Sequence, residues 1–157
     1  MAKVKVKIQG GNKLLSHLKK MKGKLTITSG FYKGSTYPDK TPVAFVAYIN
    51  NYGTVKDGGF IPPRPFFSDA VRGNKKKWAD NLGKVLKSKK YDFKQAGTII
   101  GLQMQQDIQR QIDESWHYKA NAPSTIQKSN NPNKEPLKDT FHMLNSVGFQ
   151  VLVGKKK

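Results

Sequence analysis

A regular apolar stripe in the second half of the chain constrains the fold most. Five apolar residues follow one another at intervals of four positions: Ala96, Ile100, Met104, Ile108 and Ile112. This spacing places them on one face of an α-helix. We expect the helix to cover Phe93–Ser115 and to lay its stripe on a sheet. Gly97 and Gly101 lie beside the stripe, where the lack of side chains permits a neighbouring backbone to come close.

Shorter apolar patterns predict four further helices. A lysine-rich amphipathic helix is expected over Asn12–Met21, with Asn12 as its cap. Another is expected after Pro42, which suits a first helical turn. Ser68 is a candidate N-cap for a helix that runs toward Lys90, and a short helix is expected over Thr140–Asn145.

Alternating apolar residues predict strands near both ends of the chain. Leu25–Thr28 and Ser146–Val153 alternate as half-buried strands do. Between the helices, Gly53–Phe67 is expected to form a loop with a hairpin turn at Asp57–Gly59. Trp116–Asp139 is polar, rich in asparagine and proline, and is expected to be loop-like.

These elements predict an α+β fold in which a small, mostly antiparallel sheet packs against one long helix, with extended loops. At 157 residues the chain is expected to be a single domain. Its core is expected at about residues 24–153, after a basic N-terminal segment at residues 1–23. A lysine tail at residues 154–157 is expected to be disordered.

The net charge of +19 is distributed in blocks. Residues 1–38 hold nine lysines and no acidic residue, and Arg72–Lys94 holds nine basic residues against Asp80 and Asp92. Such blocks attract polyanions, either the phosphates along a DNA path or an acidic protein surface in an assembly. The alternative is that solvated lysines serve solubility alone. Because lysine lacks the planar fork that reads base edges, DNA contact is expected to be non-specific. The candidate residues are Lys75, Lys76, Lys77, Lys87, Lys89 and Lys90.

The sequence gives little support for catalysis, a cofactor or a metal. Without cysteine it has no disulfide, thiolate ligand or cysteine nucleophile. His17, His117 and His142 lack the spacing of a zinc site, and the phosphate-loop and dinucleotide motifs do not occur. The closest acidic set, which includes Asp107, is expected to be solvated on a helix flank. We therefore expect no catalytic, cofactor or metal site and no small-molecule substrate.

No long apolar run marks a membrane helix or signal peptide, so the chain is expected to be soluble, unsecreted and without a membrane partner.

Two clusters of residues carry a recognisable order. The first is Ala47–Thr54, with the letters AYINNYGT, followed closely by Ile61–Phe67, with the letters IPPRPFF. The second begins at Trp116 and is made of short pieces: Ala122–Lys128, Lys134, Pro136–Leu137, Asp139–Thr140 and Leu144–Val147.

This series, over residues 24–153, resembles the phage virion morphogenesis and tail completion proteins, including the Mu-type morphogenesis proteins. Those families are similar in having a helix that ends in an acidic residue, an aromatic and Gly-Thr, followed by an IPxRPF loop. A long helix and a late Pro-Leu, Asp-Thr-Gly, Leu, Ser-Ile region come before a terminal strand. Here Asn51 stands in place of the acidic residue, and Phe141 stands in place of the glycine.

The resemblance implies a non-enzymatic virion part, made in the host cytoplasm and placed at the head-tail junction or upper tail. It implies a homo-oligomeric ring that contacts tail tube, neck or connector proteins and borders the path of packaged DNA. Tail terminator and neck adaptor both remain open. The alternative is a non-specific nucleic-acid-binding accessory protein.

The proline-rich loop is the candidate inter-subunit contact, through Tyr52, Arg64, Pro65, Phe66 and Phe67. Arg64 lies between prolines that pre-order the backbone, so it is expected to reach an acidic partner or a carbonyl. Phe66 and Phe67 either anchor in a neighbour's pocket or seal the domain's own core.

Overall fold

A computed structural model of the chain describes residues 2–3, 23–56, 59–89, 92–129 and 134–154. In chain order the strands are β1 (Ala2–Lys3), β2 (Lys24–Phe31), β3 (Thr54–Lys56), β4 (Gly59–Ile61) and β5 (Val147–Gly154). The helices are α1 (Val43–Tyr52), α2 (Phe66–Ser88), α3 (Phe93–Asp113), α4 (Pro123–Lys128) and α5 (His142–Asn145), with a 3₁₀ turn at Ser115–His117. This arrangement confirms the α+β fold.

A small antiparallel sheet has the order β1-β2-β5. Strand β2 pairs along its whole length with β5, from Lys24 opposite Gly154 to Phe31 opposite Val147. Both predicted strands are confirmed, because alternating residues such as Ile27 are buried beneath the helices. The proposed helix at residues 12–21 lies outside the described residues.

Helices α2 and α3 pack on each other and α3 packs on the sheet. All five residues of the predicted stripe are buried, which confirms that this face of α3 is core. The side chain of Asp92 caps the helix by accepting from the Gln95 N–H at 2.9 Å. The helix ends at Asp113, two residues before the predicted end at Ser115.

The predicted close approach at Gly97 and Gly101 occurs against side chains of β5. A Cβ atom at position 97 would collide with Val151 and one at position 101 with the ring of Phe149. The two glycines therefore let α3 settle on the sheet with the side chains of β5 filling the space.

In the middle of the chain the predicted hairpin is confirmed, whereas a helix start and a predicted loop are corrected. Strands β3 and β4 pair as a hairpin, as its sequence indicated, although residues 57 and 58 lie outside the described part. Helix α2 begins at Phe66, so Ser68 is not its N-cap. The polar segment is also less loop-like than expected, since it holds the 3₁₀ turn and α4.

We predict that Gly101→Ala destabilises the fold by about 1–3 kcal/mol, because the added methyl group overlaps the Phe149 ring in a packed layer. Gly73→Ala is the matched control: no atom lies within 4 Å of a Cβ there, so better helix propensity should stabilise α2 by about 0.5–1 kcal/mol. Urea unfolding of both variants measures the difference. Equal stability of the two variants would contradict the close packing of α3 on β5.

Candidate assembly interface

The guanidinium of Arg64 lies inside the protein, with 3% of the residue exposed. Its Nε donates to the carbonyl oxygen of Lys119 at 2.8 Å, and Nη1 donates to Asn50 Oδ1 at 3.0 Å. Nη2 donates to the carbonyl oxygen of Ala120 at 3.2 Å and to Asn121 Oδ1 at 2.9 Å. Arg64 therefore ties the end of α1 to the chain that follows the 3₁₀ turn.

Every oxygen in this set belongs to a neutral group. Burial lowers the pKa of Arg64, but an arginine remains protonated because its ordinary pKa is so high. The charge is thus stabilised by amide and carbonyl dipoles, whose four hydrogen bonds use most of the guanidinium's five donors.

The predicted inter-subunit contact is corrected for two residues. The Arg64 guanidinium is buried and hydrogen-bonded within its own chain. Phe66 is completely buried in the core, with its ring 6.3 Å from that of Phe31 in an edge-on arrangement. Pro65 precedes the first residue of α2, and Phe67 is partly buried against Phe66. Of the predicted contact residues, Tyr52 is the one whose side chain is largely exposed.

Asn51 caps helix α2 from the neighbouring helix. Its buried Oδ1 accepts from the N–H groups of Phe67 at 3.0 Å and Ser68 at 3.2 Å. Its Nδ2 donates to Ser68 Oγ at 2.9 Å. These are the N–H groups that an N-cap residue usually satisfies, and a carboxylate at position 51 would accept from the same two donors. Asparagine here therefore keeps the function that an acidic residue would have.

The base of the β3–β4 hairpin is fixed by Gly53. Its φ of 74° suits glycine, and a Cβ atom there would lie 2.8 Å from the Ile61 carbonyl oxygen and 2.9 Å from the Pro63 nitrogen. Next to it, the Arg64 N–H donates to the Asn50 carbonyl oxygen at 2.7 Å. Side chain and backbone of Arg64 thus hold the same junction.

The hairpin presents two largely exposed apolar side chains that form a cross-strand pair, which we call the hairpin face. Val55 and Phe60 are opposite one another across the two strands, and they are 77% and 61% exposed. Lys119 Nζ lies 5.6 Å from the centre of the Phe60 ring, within cation–π range. The pairing of β3 is with β4 and no other strand among the described residues.

Helix α1 presents a second apolar surface, the aromatic face, formed by Phe45, Tyr48 and Tyr52. All three are exposed, and the rings of Tyr48 and Tyr52 lie 4.9 Å apart. Beside them is an apolar groove of about 290 Å³ between the end of β2, α1 and the start of α2. Its lining residues are Gly30, Phe31, Ala44, Ala47, Tyr48, Asn51, Tyr52, Phe66 and Phe67. Such a surface is typical of a protein contact site.

The candidate lysines of α2 fall into different environments. Lys75, Lys76 and Lys87 are exposed on the helix and Lys89 is exposed just after it, whereas Lys90 lies outside the described residues.

Lys77 differs because its Nζ lies 3.5 Å from Asp107 Oδ1. Asp107 is buried and accepts from Trp78 Nε1 at 2.8 Å, so its predicted place on a solvated flank is wrong.

A polar groove of about 520 Å³ brings together several residues of the second sequence cluster. Ser124, Asp139 and His142 line it with Tyr37, whose pKa is raised chiefly by burial. His142 Nε2 lies 2.9 Å from the Thr36 carbonyl oxygen, within hydrogen-bond distance. The arrangement thereby pins the loop before α1 to α5.

Phe141 adopts a left-handed backbone, with φ 56° and ψ 4°, directly before α5. A non-glycine residue in this region costs about 1–2 kcal/mol. The conformation is the one that glycine adopts readily, and glycine is what the resembling families carry at this point. The tight turn is therefore present despite the substitution.

In the part of the chain that the structure describes, no group of three or more histidine or acidic side chains is arranged to hold a metal ion. No helix in the same part is long and apolar enough to cross a bilayer. Comparisons with protein-family models, with curated proteins and with solved structures give no match.

We predict that Arg64→Ala destabilises the protein by about 2 kcal/mol, because removal of the buried guanidinium breaks four part-buried hydrogen bonds at once. Arg64→Lys should recover little of this loss, since one ammonium cannot reach all four oxygens. Arg72→Ala is the control: its side chain is 74% exposed and its ion pair with Asp69 is worth under about 1 kcal/mol. Thermal unfolding of Arg64→Ala at the wild-type temperature would show that Arg64 does not hold the fold.

Proposed function

We propose that the chain is a structural component of a tailed bacteriophage particle, which completes the tail or joins it to the head by assembling with further copies into a ring. The observation that carries the proposal is the exposed, uncharged aromatic face of α1, presented beside an apolar groove on a rigid junction. The ordered motif series that resembles the tail completion families supports it.

The motif residues have connected structural roles, which also supports the proposal. Asn51 caps α2, Gly53 closes the base of the hairpin and Arg64 joins that base to residues 119–121. Phe141 makes the turn where the families have glycine. Asn51, Gly53 and Arg64 thus lie at one junction, although each motif is weak alone.

The expected partners follow from the two kinds of surface. Uncharged apolar surfaces suit contacts with further copies and with tail tube, neck or connector proteins. The exposed lysines of α2 suit either the phosphates of packaged DNA or an acidic virion surface. Placement at the head-tail junction or the upper tail satisfies both requirements.

Labelled antibody against the chain tests this function on purified particles of the phage that encodes it. We expect label at one end of the tail, nearest the capsid, and unjoined heads and tails when the gene is deleted. Normal infectious particles without label would refute the proposal. Deletion of a known non-structural gene is the control, and it should leave particles joined.

The exposed lysines of α2 favour one second candidate, a non-specific nucleic-acid-binding accessory protein. Lys75, Lys76 and Lys87 point away from the core and add to a chain of net charge +19. Against this candidate, the exposed aromatic face and groove lack a basic lining, since no charged residue occurs between Thr41 and Val55. A stacking platform for bases is usually bordered by cations.

Replacing Lys75, Lys76 and Lys87 together by glutamate separates a DNA-facing from a protein-facing role of these lysines, while arginine at the same positions is the control and should be silent. Lys77 stays unchanged because it contacts buried Asp107. We expect tailed particles that leak DNA if the lysines face the DNA path, and separated heads and tails if they face an acidic protein. Particle counts by microscopy give the answer. Fully infectious glutamate particles would mean that these lysines serve solubility alone.

A further inference from the structure

We infer that the hairpin face of one copy packs into the apolar groove of the next copy, so that successive copies associate head to tail. The inference rests on the proposed function and names the contact by which the ring would form. Every copy carries both halves of this contact, the exposed Val55 and Phe60 and the groove beside Tyr48 and Tyr52.

The groove is suited to apolar side chains. Its volume of about 290 Å³ equals the room of about ten water molecules at about 30 Å³ each. Its lining includes Ala47 and Phe66, which are buried core residues, and the exposed Tyr48 and Tyr52, whose rings contact one another at a tilted angle. An inserted side chain would therefore be desolvated on several sides, as the anchors of protein interfaces are.

The hairpin is suited to supply those side chains. Val55 is more exposed than any other large apolar residue in the described part of the chain, at 77%. The base of the hairpin is held by Gly53 and by Arg64, which limits the entropy lost when the hairpin docks.

Charge selects a second copy as the occupant. A chain of net charge +19 repels its own copies wherever lysine surfaces meet, and an acidic partner would be drawn to those lysines instead. From Thr41 to Val55 there is no charged residue, and Lys56 is followed by Asp57 of opposite sign. The groove has no charged lining residue, so the hairpin face of a second copy, with Lys119 beside Phe60, meets no like charge there.

A head-to-tail contact needs two different surfaces on each copy, and the chain has them. The hairpin face and the groove are different surfaces of the chain, so each copy can use its hairpin on one neighbour and its groove on another. Contacts between unlike surfaces build rings when the rotation closes, whereas a contact between like surfaces builds a two-fold dimer.

Single-cysteine variants test this contact in the full chain, which has no cysteine of its own. Val55→Cys and Ala44→Cys place a thiol on the hairpin face and at the groove, both at exposed positions. When the two variants are mixed and oxidised, we expect a disulfide-linked heterodimer, with far less product from either variant alone. Lys84→Cys, exposed on α2, is the control partner and should give no heterodimer.

The outcomes separate the contact from the function. Efficient dimers of Val55→Cys with itself would overturn the inference in favour of a two-fold contact. Oligomers seen by sedimentation, without the disulfide-linked heterodimer of Val55→Cys and Ala44→Cys, would also overturn the inference. The copies would then associate through another surface. A chain that stays monomeric at every concentration and is absent from labelled particles would defeat the proposed function as well. Val55→Glu should abolish association and leave thermal unfolding unchanged.

Discussion

The buried guanidinium of Arg64 holds together three stretches that are far apart in sequence: the end of α1, the loop before α2 and residues 119–121. Its four hydrogen bonds are made to neutral oxygens, so the charge stays solvated inside the protein only while all three stretches remain in place. The β3–β4 hairpin begins at this junction, directly after Gly53. The position of the surfaces that face a partner therefore depends on a residue that touches no partner.

The helical layer gives this junction a rigid support. Helix α3 lies close to the sheet because Gly97 and Gly101 leave room for Val151 and Phe149. The same helix carries buried Asp107, which joins it to α2 through Trp78. The uncharged aromatic face and the basic helix α2 thus belong to the same packed fold. The first suits an apolar protein surface and the second suits an acidic partner.

Periodic patterns in the sequence predict much of the fold but little of the site. The stripe of α3 and the alternation of β2 and β5 depend on local spacing, and both are confirmed. The prediction of Ser68 as the cap is wrong because the residue that caps α2, Asn51, lies 17 residues away in sequence and no local pattern points to it. The prolines beside Arg64 predict a pre-ordered arginine that reaches an acidic partner or a carbonyl, and it reaches carbonyl oxygens of its own chain. Its acceptors lie 14 to 57 residues away in sequence, so no local pattern could predict them.

The mass of the wild-type chain in solution, measured by sedimentation as salt is raised from about 0.05 to 0.5 M, tests the central claim most directly. Salt over this range shortens the screening length from about 14 to 4 Å and so weakens repulsion between copies of net charge +19. An apolar contact predicts discrete oligomers that become more populated as salt rises. A chain that stays monomeric throughout, or oligomers that dissociate as salt rises, would contradict assembly through the uncharged surfaces.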